Sequence, residues 1–206
     1  MYERYVKKIL DFIFAIILLI ILSPVMVIAV IAIKIEDPKG SVIFKQERPG
    51  KDTKIFKVYK FRTMRVETER DGKPLSDMER MTKVGSFLRK TSIDELPQLF
   101  NIIRGEMSFI GPRPLLVEYL PYYTEEEMKR HSVIPGITGL AQVSGRNNLN
   151  WDERFKKDIE YVEKCSFVLD IKIFFLTILK VVKKSDVARD TNLIEGNLAK
   201  IRSSKI

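Results

Sequence analysis

FIFAIILLIILSPVMVIAVIAI, residues 12–33, is an uninterrupted run of 22 positions without a charge. At ~1.5 Å per residue, a straight helix of that length would cross a bilayer core of ~30 Å. The run is too long for a cleavable signal, and no small-residue cleavage site follows it. Ser23-Pro24 stands near its middle. Proline removes a backbone donor and clashes with the preceding turn, so it kinks a helix and frees carbonyls that lipid cannot satisfy. The Ser23 hydroxyl is a candidate partner for one of them. Both flanks are basic: Arg4, Lys7 and Lys8 on one side, and Lys34, Lys39, Lys45 and Arg48 on the other, with further Lys and Arg up to Arg65. The tendency of Lys and Arg to stay on the cytoplasmic side is met at both flanks if the segment enters and leaves by one face. Each arm would then be about 11 residues, roughly 16 Å or half a bilayer. The expectation for residues 1–36 is therefore a re-entrant helix–break–helix anchored at Ser23 and Pro24, with a kinked span as the alternative.

Outside this run the chain reads as one further domain. Its 206 residues are 45% hydrophobic, enough for a core, and carry a formal net charge of +9. Residues 1–65 hold thirteen Lys or Arg against six Asp or Glu, a net of +7, which favours an anionic partner. The single cysteine, Cys165, excludes an internal disulfide. The single histidine, His131, excludes a multi-histidine metal site and is expected to be structural. Acid, base or nucleophilic chemistry then falls mainly to carboxylates.

Residues 41–45 and 54–61, rich in β-branched and aromatic side chains, predict a β-hairpin turning at 48–52. Residues 66–77 read as a surface loop, 78–90 as one helix, and a further helix begins near Ser92. From 105 to 147 the density of glycine and proline predicts ordered loops around a site. Residues 151–163 form a helix with Trp151, Phe155, Ile159 and Val162 on one stripe. Residues 166–184 form another, with Phe167, Ile171, Phe174, Phe175 and Ile178 on its apolar side and Asp170, Lys172, Thr177 and Lys180 on its polar side. Such a helix either lies in a membrane interface or packs on a core. The tail from Ser185 is expected to be dispensable for chemistry. The fold class is α+β and mostly helical, divided into a membrane helix at 1–36, a catalytic domain at 37–187 and a tail at 188–206.

The sharpest local constellation is TSIDELP, residues 91–97. Ser92 and Glu95 have capping-box spacing, and Pro97 falls where an early helix tolerates it, so Asp94 and Glu95 are expected at a helix N-terminus. The amides and dipole there favour an ionised carboxylate and an incoming phosphate. Basic residues surround the motif in sequence: Lys60 and Arg62 close the hairpin, and Arg89 and Lys90 precede the acids. Arg113 stands between two prolines in GPRP, and Arg146 follows Gly145. Arginine on a restrained backbone suits the forked recognition of phosphate oxygens. There is no GxxxxGK[ST] and no GxGxxG, so neither a P-loop nor a dinucleotide fold is indicated.

At this point the chain resembles the bacterial sugar transferases, specifically the small monotopic phosphoglycosyl transferases. The likeness runs from about residue 1 to 187. It is carried by KKILDF with the Ser-Pro break, VIFKQERPG, KIFKVYKFRTM, TSIDELPQLFNIIRGEMSFIGPRP, PGITGLAQVSGRN and LDIKI. Within the family, LLVEYLP after GPRP brings the chain nearest to the initiating enzyme of bacterial N-linked protein glycosylation. The resemblance implies transfer of a phosphosugar from a UDP-sugar to a polyprenol phosphate, in bacteria undecaprenyl phosphate, with release of UMP. Asp94 would be the nucleophile and form an aspartyl-phosphosugar. Glu95 would complete the dyad. Asp94 and Glu95 would hold Mg²⁺ together with the substrate phosphates. Arg89, Arg113 and Arg146, with Lys60 and Arg62, would bind phosphate. The implied setting is the cytoplasmic face of the bacterial inner membrane, with membrane lipids as partners, no nucleic acid, and a homodimer compatible with a membrane-surface enzyme. The pathways implied are glycoconjugates such as lipopolysaccharide or exopolysaccharide. Two rivals stand beside this reading: a glycosyltransferase that releases UDP, and a lipid-binding scaffold without activity.

Overall fold

The computed structural model describes residues 1–145, 149–182 and 197–203. A π-helical turn, Tyr2–Val6, leads into α1 (Lys7–Glu36). The hairpin strands β1 (Ile43–Pro49) and β2 (Ile55–Phe61) follow, then a two-residue ribbon of β3 (Glu69–Arg70) and β4 (Lys73–Pro74). Next come α2 (Asp77–Arg80), α3 (Lys83–Lys90), a 3-10 turn (Ile93–Glu95) and α4 (Gln98–Ile103). Short pieces fill the glycine- and proline-rich stretch: β5 (Ser108–Ile110), a 3-10 segment (Val117–Tyr122), α5 (Glu125–Met128), a 3-10 turn (Lys129–Ser132), β6 (Gly136–Thr138) and α6 (Leu140–Ser144). Two longer helices, α7 (Trp151–Lys164) and α8 (Phe167–Val182), precede α9 (Leu198–Ser203). The described chain is mostly helical with small two-stranded sheets, as α+β predicts. It divides into two units. One comprises Phe14–Gln46 and Lys57–Asn101, and the other Met1–Ile13, Glu47–Phe56 and Ile102–Ile206.

In the first unit α1 runs as one helix through Pro24, and no second helix begins at the proline. Proline has no N–H for the carbonyl four residues earlier, which is that of Ile20. The Ser23 hydroxyl donates to this carbonyl at 2.8 Å, so the freed acceptor is satisfied by the neighbouring side chain. Around the proline the surface is apolar and outward: Ile20 is 68% and Ile21 63% exposed. Among the described residues this is the one helix long and apolar enough to cross a membrane.

Further along α1 the surroundings change. Ala29 and Ile33 are buried with Phe61 of β2 and Leu88 of α3, and Ile93 and Leu96 pack against the same cluster. The helix end is held by charge. The Glu36 carboxylate accepts the amides of Lys83 and Val84, both at 2.7 Å, at the N-terminus of α3, where anions are favoured. Asp37 pairs with Arg62 at 2.5 Å.

The helix expected over 78–90 is two helices. Met81 forms an isolated antiparallel bridge with Met64, and Thr82 then caps α3 by accepting from the Gly85 amide at 2.8 Å. The loop expected over 66–77 contains the β3–β4 ribbon. The hairpin turn also falls later than expected: β1 extends through Pro49, and the reversal is made at Lys51–Thr53, with Asp52 and Thr53 at positive φ. A proline at a strand end lacks only a donor the ladder does not need.

In the second unit β5 and β6 pair in parallel, Ser108 opposite Gly136 and Ile110 opposite Thr138. A side chain on Gly136 would stand 2.1 Å from the Gly111 nitrogen, so only glycine permits this approach. Ile110, Val133, Val143, Tyr161 and Ile173 form the core beneath it. Helix α7 starts from a reciprocal cap between Asn150 and Glu153, and its buried stripe is Phe155, Asp158 and Tyr161. Asp158 meets Arg130 at 2.8 Å, with both side chains almost fully buried.

Helix α8 differs from the wheel reading. Asp170, assigned to the polar side, is buried: Lys7 pairs with it at 2.5 Å, and the Tyr2 and Tyr161 hydroxyls donate to it at 2.7 and 2.8 Å. Ile173 is fully buried and the Thr177 and Thr138 hydroxyls lie 2.9 Å apart, so the core face is Asp170–Ile173–Thr177. The Phe167–Phe174–Phe175–Ile178 stripe points outward, Phe175 being 59% exposed. In the C-terminal segment Leu198 is fully buried with Tyr119 and Phe155.

His131 lies buried next to Arg130. Burial first, and the Arg130 charge second, push its pKa down to about 4, so the imidazole is neutral in the fold, consistent with a structural histidine.

Two outcomes follow from this packing. A methyl group at Gly85 would meet the Thr63 carbonyl oxygen at 1.9 Å, so Gly85→Ala should destabilise the protein by about 1–3 kcal/mol, read as a lowered thermal midpoint in detergent. Between about pH 6.5, where an unfolded histidine titrates, and about pH 4, the unfolded chain binds a proton at His131 that the folded chain refuses. Stability should therefore fall as pH is lowered through this window, and His131→Asn should flatten that part of a stability–pH profile.

Candidate active site

The acidic dyad lies in the first unit, but not as a capping box. Ser92 adopts φ 57° and ψ 16°, the left-handed region, and its side chain makes no cap hydrogen bond. An N-cap requires extended backbone, whereas a left-handed residue is what ends a helix. Ser92 therefore terminates α3, its amide donating to the Arg89 carbonyl at 3.2 Å. The chain then makes a 3-10 turn, with Leu96 N–H donating to Ile93 at 3.1 Å, and α4 starts only after Pro97. Asp94 and Glu95 sit in that turn, one step before the helix expected to carry them.

The turn is held from both ends. Ile93 and Leu96 pack into the Ala29–Ile33–Phe61–Leu88 core. The fully buried Asn101 of α4 accepts from the Tyr59 amide at 3.1 Å and donates to the Lys57 carbonyl at 2.8 Å, fastening α4 to β2. Asp94 is 8% exposed. Glu95 is partly exposed and meets the Lys60 ammonium of β2 at 2.8 Å.

Of the basic residues singled out in this unit, Lys60 is therefore brought to the dyad. Arg89 donates to the Thr63 hydroxyl at 3.0 Å and is anchored at the end of α3. Arg62 is engaged elsewhere: it pairs with the Asp37 carboxylate and donates to the Asp37 carbonyl at 2.7 Å, closing the end of α1. Ser23 and Pro24 lie in α1 of the same unit.

Arg113 belongs to the other unit, and Arg146 lies outside the described residues. Arg113 is held by its surroundings. Its guanidinium donates to the Ile137 carbonyl at 3.2 Å, and its own carbonyl accepts from Arg130 at 2.8 Å. The Gly136 amide donates to the Pro112 carbonyl at 3.0 Å, fixing the preceding residue. Arg48, one of the basic residues that follow the apolar run and the first of the expected turn, is in the same unit and feels the charge of Arg113. Burial, then the positive charge of Arg113, push the Arg48 guanidinium down to about 10. Two guanidinium groups that feel one another's charge in a partly desolvated place raise the local attraction for an anion. Arg130 was also missed. It acts through the Arg113 backbone, and nothing in its local sequence distinguishes it from a surface arginine.

Two carboxylates on one turn, one buried and one paired to a lysine, offer hard oxygen donors that suit a small divalent cation with the rest of its shell supplied by substrate and water. Among the described residues no three His, Cys, Asp or Glu side chains gather into a fuller cage.

The chain matches the bacterial sugar transferase family over residues 2–184. EpsL of Bacillus subtilis (strain 168), an uncharacterized sugar transferase, is 47% identical over 189 residues, covering 91% of this chain and 92% of that protein. The UDP-glucose:undecaprenyl-phosphate glucose-1-phosphate transferase of Escherichia coli (strain K12) is 44% identical over 189 residues, 86% of this chain and 40% of that protein. The undecaprenyl-phosphate galactose phosphotransferase of Salmonella typhimurium is 39% identical over 204 residues, 90% of this chain and 42% of that protein. The chain thus spans nearly all of the first relative and about two fifths of the other two. A match of this extent places it plainly: the chain belongs to the bacterial sugar transferase family and is a transferase.

Proposed function

We propose that this protein is a phosphoglycosyl transferase that moves a phosphosugar from a UDP-sugar to undecaprenyl phosphate and releases UMP. The observation that carries the proposal is the buried Asp94 carboxylate, in a turn whose flanking residues pack on the same core as the end of the apolar helix. An Asp94 oxygen attacks the sugar-bearing phosphorus, and the bond from that phosphorus to the UMP oxygen breaks. The polyprenol phosphate oxygen then attacks the same phosphorus and breaks the bond to Asp94, restoring the carboxylate. Glu95, oriented by Lys60, lies next in the turn and takes part in holding Mg²⁺ or activating the acceptor. Asp94 and Glu95 would hold the ion, which supplies charge neutralisation at the diphosphate. Arg113 with Arg48, and Arg89 and Arg146, bind phosphate oxygens. Arg62 carries less of this role, because its guanidinium already serves Asp37.

The relatives named for glucose and galactose transfer make UDP-glucose and UDP-galactose the first donors to test. The product would begin a membrane-linked glycoconjugate at the cytoplasmic face of the inner membrane. The outward apolar surfaces of α1 and α8 support a membrane-bound protein whose α8 lies in the interface. The paired basic flanks of α1 support a re-entrant path for it, with Pro24 as the position at which the helix would bend.

With Mg²⁺ and undecaprenyl phosphate, the purified protein should release UMP, not UDP, from one of a panel of UDP-sugars, and Asp94→Asn should lower the rate on the order of 10³-fold or more. UDP as the product would replace this reading with a glycosyltransferase, and neither nucleotide would leave the scaffold. Single cysteines at Arg4 and Lys39 in a Cys165→Ser background should both be shielded from an impermeant thiol reagent in intact cells. Labelling at only one of them would mean that α1 spans the membrane.

A further inference from the structure

Residues 197–203 lie beyond the family match, which ends at 184, and they are built into the second unit. Leu198 is fully buried against Tyr119 and Phe155, with Leu115, Leu116 and Tyr123 around them. Asn197 donates to Glu118 at 2.8 Å. Arg202 makes the densest set of contacts in the segment. It forks onto Glu127 at 2.6 and 2.7 Å, donates to the Tyr122 carbonyl at 2.6 Å, and reaches Asp152 at 3.2 Å. Its guanidinium also stands 5.6 Å from the centre of the Phe155 ring.

The Leu198 and Asn197 contacts and the Arg202 bond to the Tyr122 carbonyl fall on residues 115–123, the stretch that follows Gly111-Pro112-Arg113-Pro114, while the Arg202 fork ties the segment to Glu127 and Asp152. That stretch has only a six-residue 3-10 segment of its own, so its order depends on what packs over it. A second route runs through the aromatic core. Arg130 lies 5.7 Å from the same Phe155 ring, is paired with Asp158, and donates to the Arg113 carbonyl. Arg202 is thus linked to Arg113 by way of the 115–123 backbone and by way of Phe155 and Arg130.

We propose that residues 197–203 are a clamp on the Arg113 loop, and that Arg202 is a positioning residue for the phosphate-binding guanidinium of Arg113, which it acts on only through these intermediaries. The inference rests on the reading of Arg113 as a phosphate ligand. Without the clamp the loop samples more arrangements, and the fraction with Arg113 in place falls. The apparent dissociation constant of the donor rises by the inverse of that fraction. Once the donor is bound the arrangement is the same, so the chemical step is little changed.

The test uses the membrane-bound protein with its full chain, a chain ending at Gly196, and the point variants Arg202→Ala and Arg202→Lys. KM for the UDP-sugar should rise about tenfold in the shortened chain and in Arg202→Ala, with kcat held within about twofold. Arg202→Lys keeps the charge but not the fork, and should fall between. Amide hydrogen exchange should quicken over residues 113–123 and stay unchanged over β2 and α3. Unchanged KM and exchange would overturn the clamp. So would a fall in kcat with faster exchange throughout, which would mean that the segment merely holds the fold together. A wild-type protein that releases no UMP from any donor would defeat the functional reading instead, while the exchange over 113–123 would still decide whether the clamp exists.

Discussion

The carboxylates of Glu36 and Asp37 tie an apolar helix to a polar turn. Upstream of them α1 presents a surface that water solvates poorly, and downstream the chain must arrange charged groups that function in water. Glu36 holds the first amides of α3, and Asp37 holds Arg62 at the end of β2. Helix α3 ends at Ser92, and the dyad follows immediately. The position of Asp94 relative to the end of the apolar helix is therefore set by two short-range charge contacts and one hydrophobic cluster. The amides at a helix start have no partner within their own helix, and the Arg62 side chain is largely removed from solvent.

The second unit relies on buried charge in a different way. Asp170 and Asp158 are each 5% exposed or less, and each has a cation and further donors: Lys7 with two tyrosine hydroxyls, and Arg130 through two nitrogens. Removing two charges from water costs more than an apolar pair of the same volume, so such pairs are poor evidence for added stability. What they provide here is register. Lys7, the first residue of α1, meets Asp170, and Arg130 meets Asp158 while the same guanidinium also donates to the Arg113 carbonyl.

Much of this was legible in the sequence, and the limits are physical. The apolar run, the hairpin, the helix from Trp151 and the shortness of the elements between 105 and 147 follow from composition and period, which are local properties. Ser23 as partner to a freed carbonyl was also readable, because proline and its orphaned acceptor are separated by one turn. The conformation of Ser92 was not. Serine with glutamate three residues on has the spacing of a cap, and nothing local marks it as left-handed beside a turn whose Ile93 and Leu96 pack into the core. The burial of Asp170 was likewise hidden, since its partner lies 163 residues away and a helical wheel counts every carboxylate as solvated. The exposed stripe of α8 inverts the usual inference from such a wheel. There the wider apolar face is left to the surroundings and a narrow mixed face makes the core.

The choice of a 3-10 turn for the dyad has a consequence for how two adjacent carboxylates can differ. On an α-helix neighbouring side chains already diverge by about 100°. In a turn of three residues, neighbours diverge by about 120°, so consecutive side chains face different surroundings. Asp94 points into the protein and Glu95 toward the Lys60 ammonium. Two groups with the same chemistry and unlike environments suit the proposed division, in which one attacks and the other assists. Ser92, at the start of this turn, holds a conformation that costs an L-residue about 1–2 kcal/mol. The hydrophobic contacts of Ile93 and Leu96 on either side of the dyad offset that cost, so the strain and the packing are parts of one arrangement.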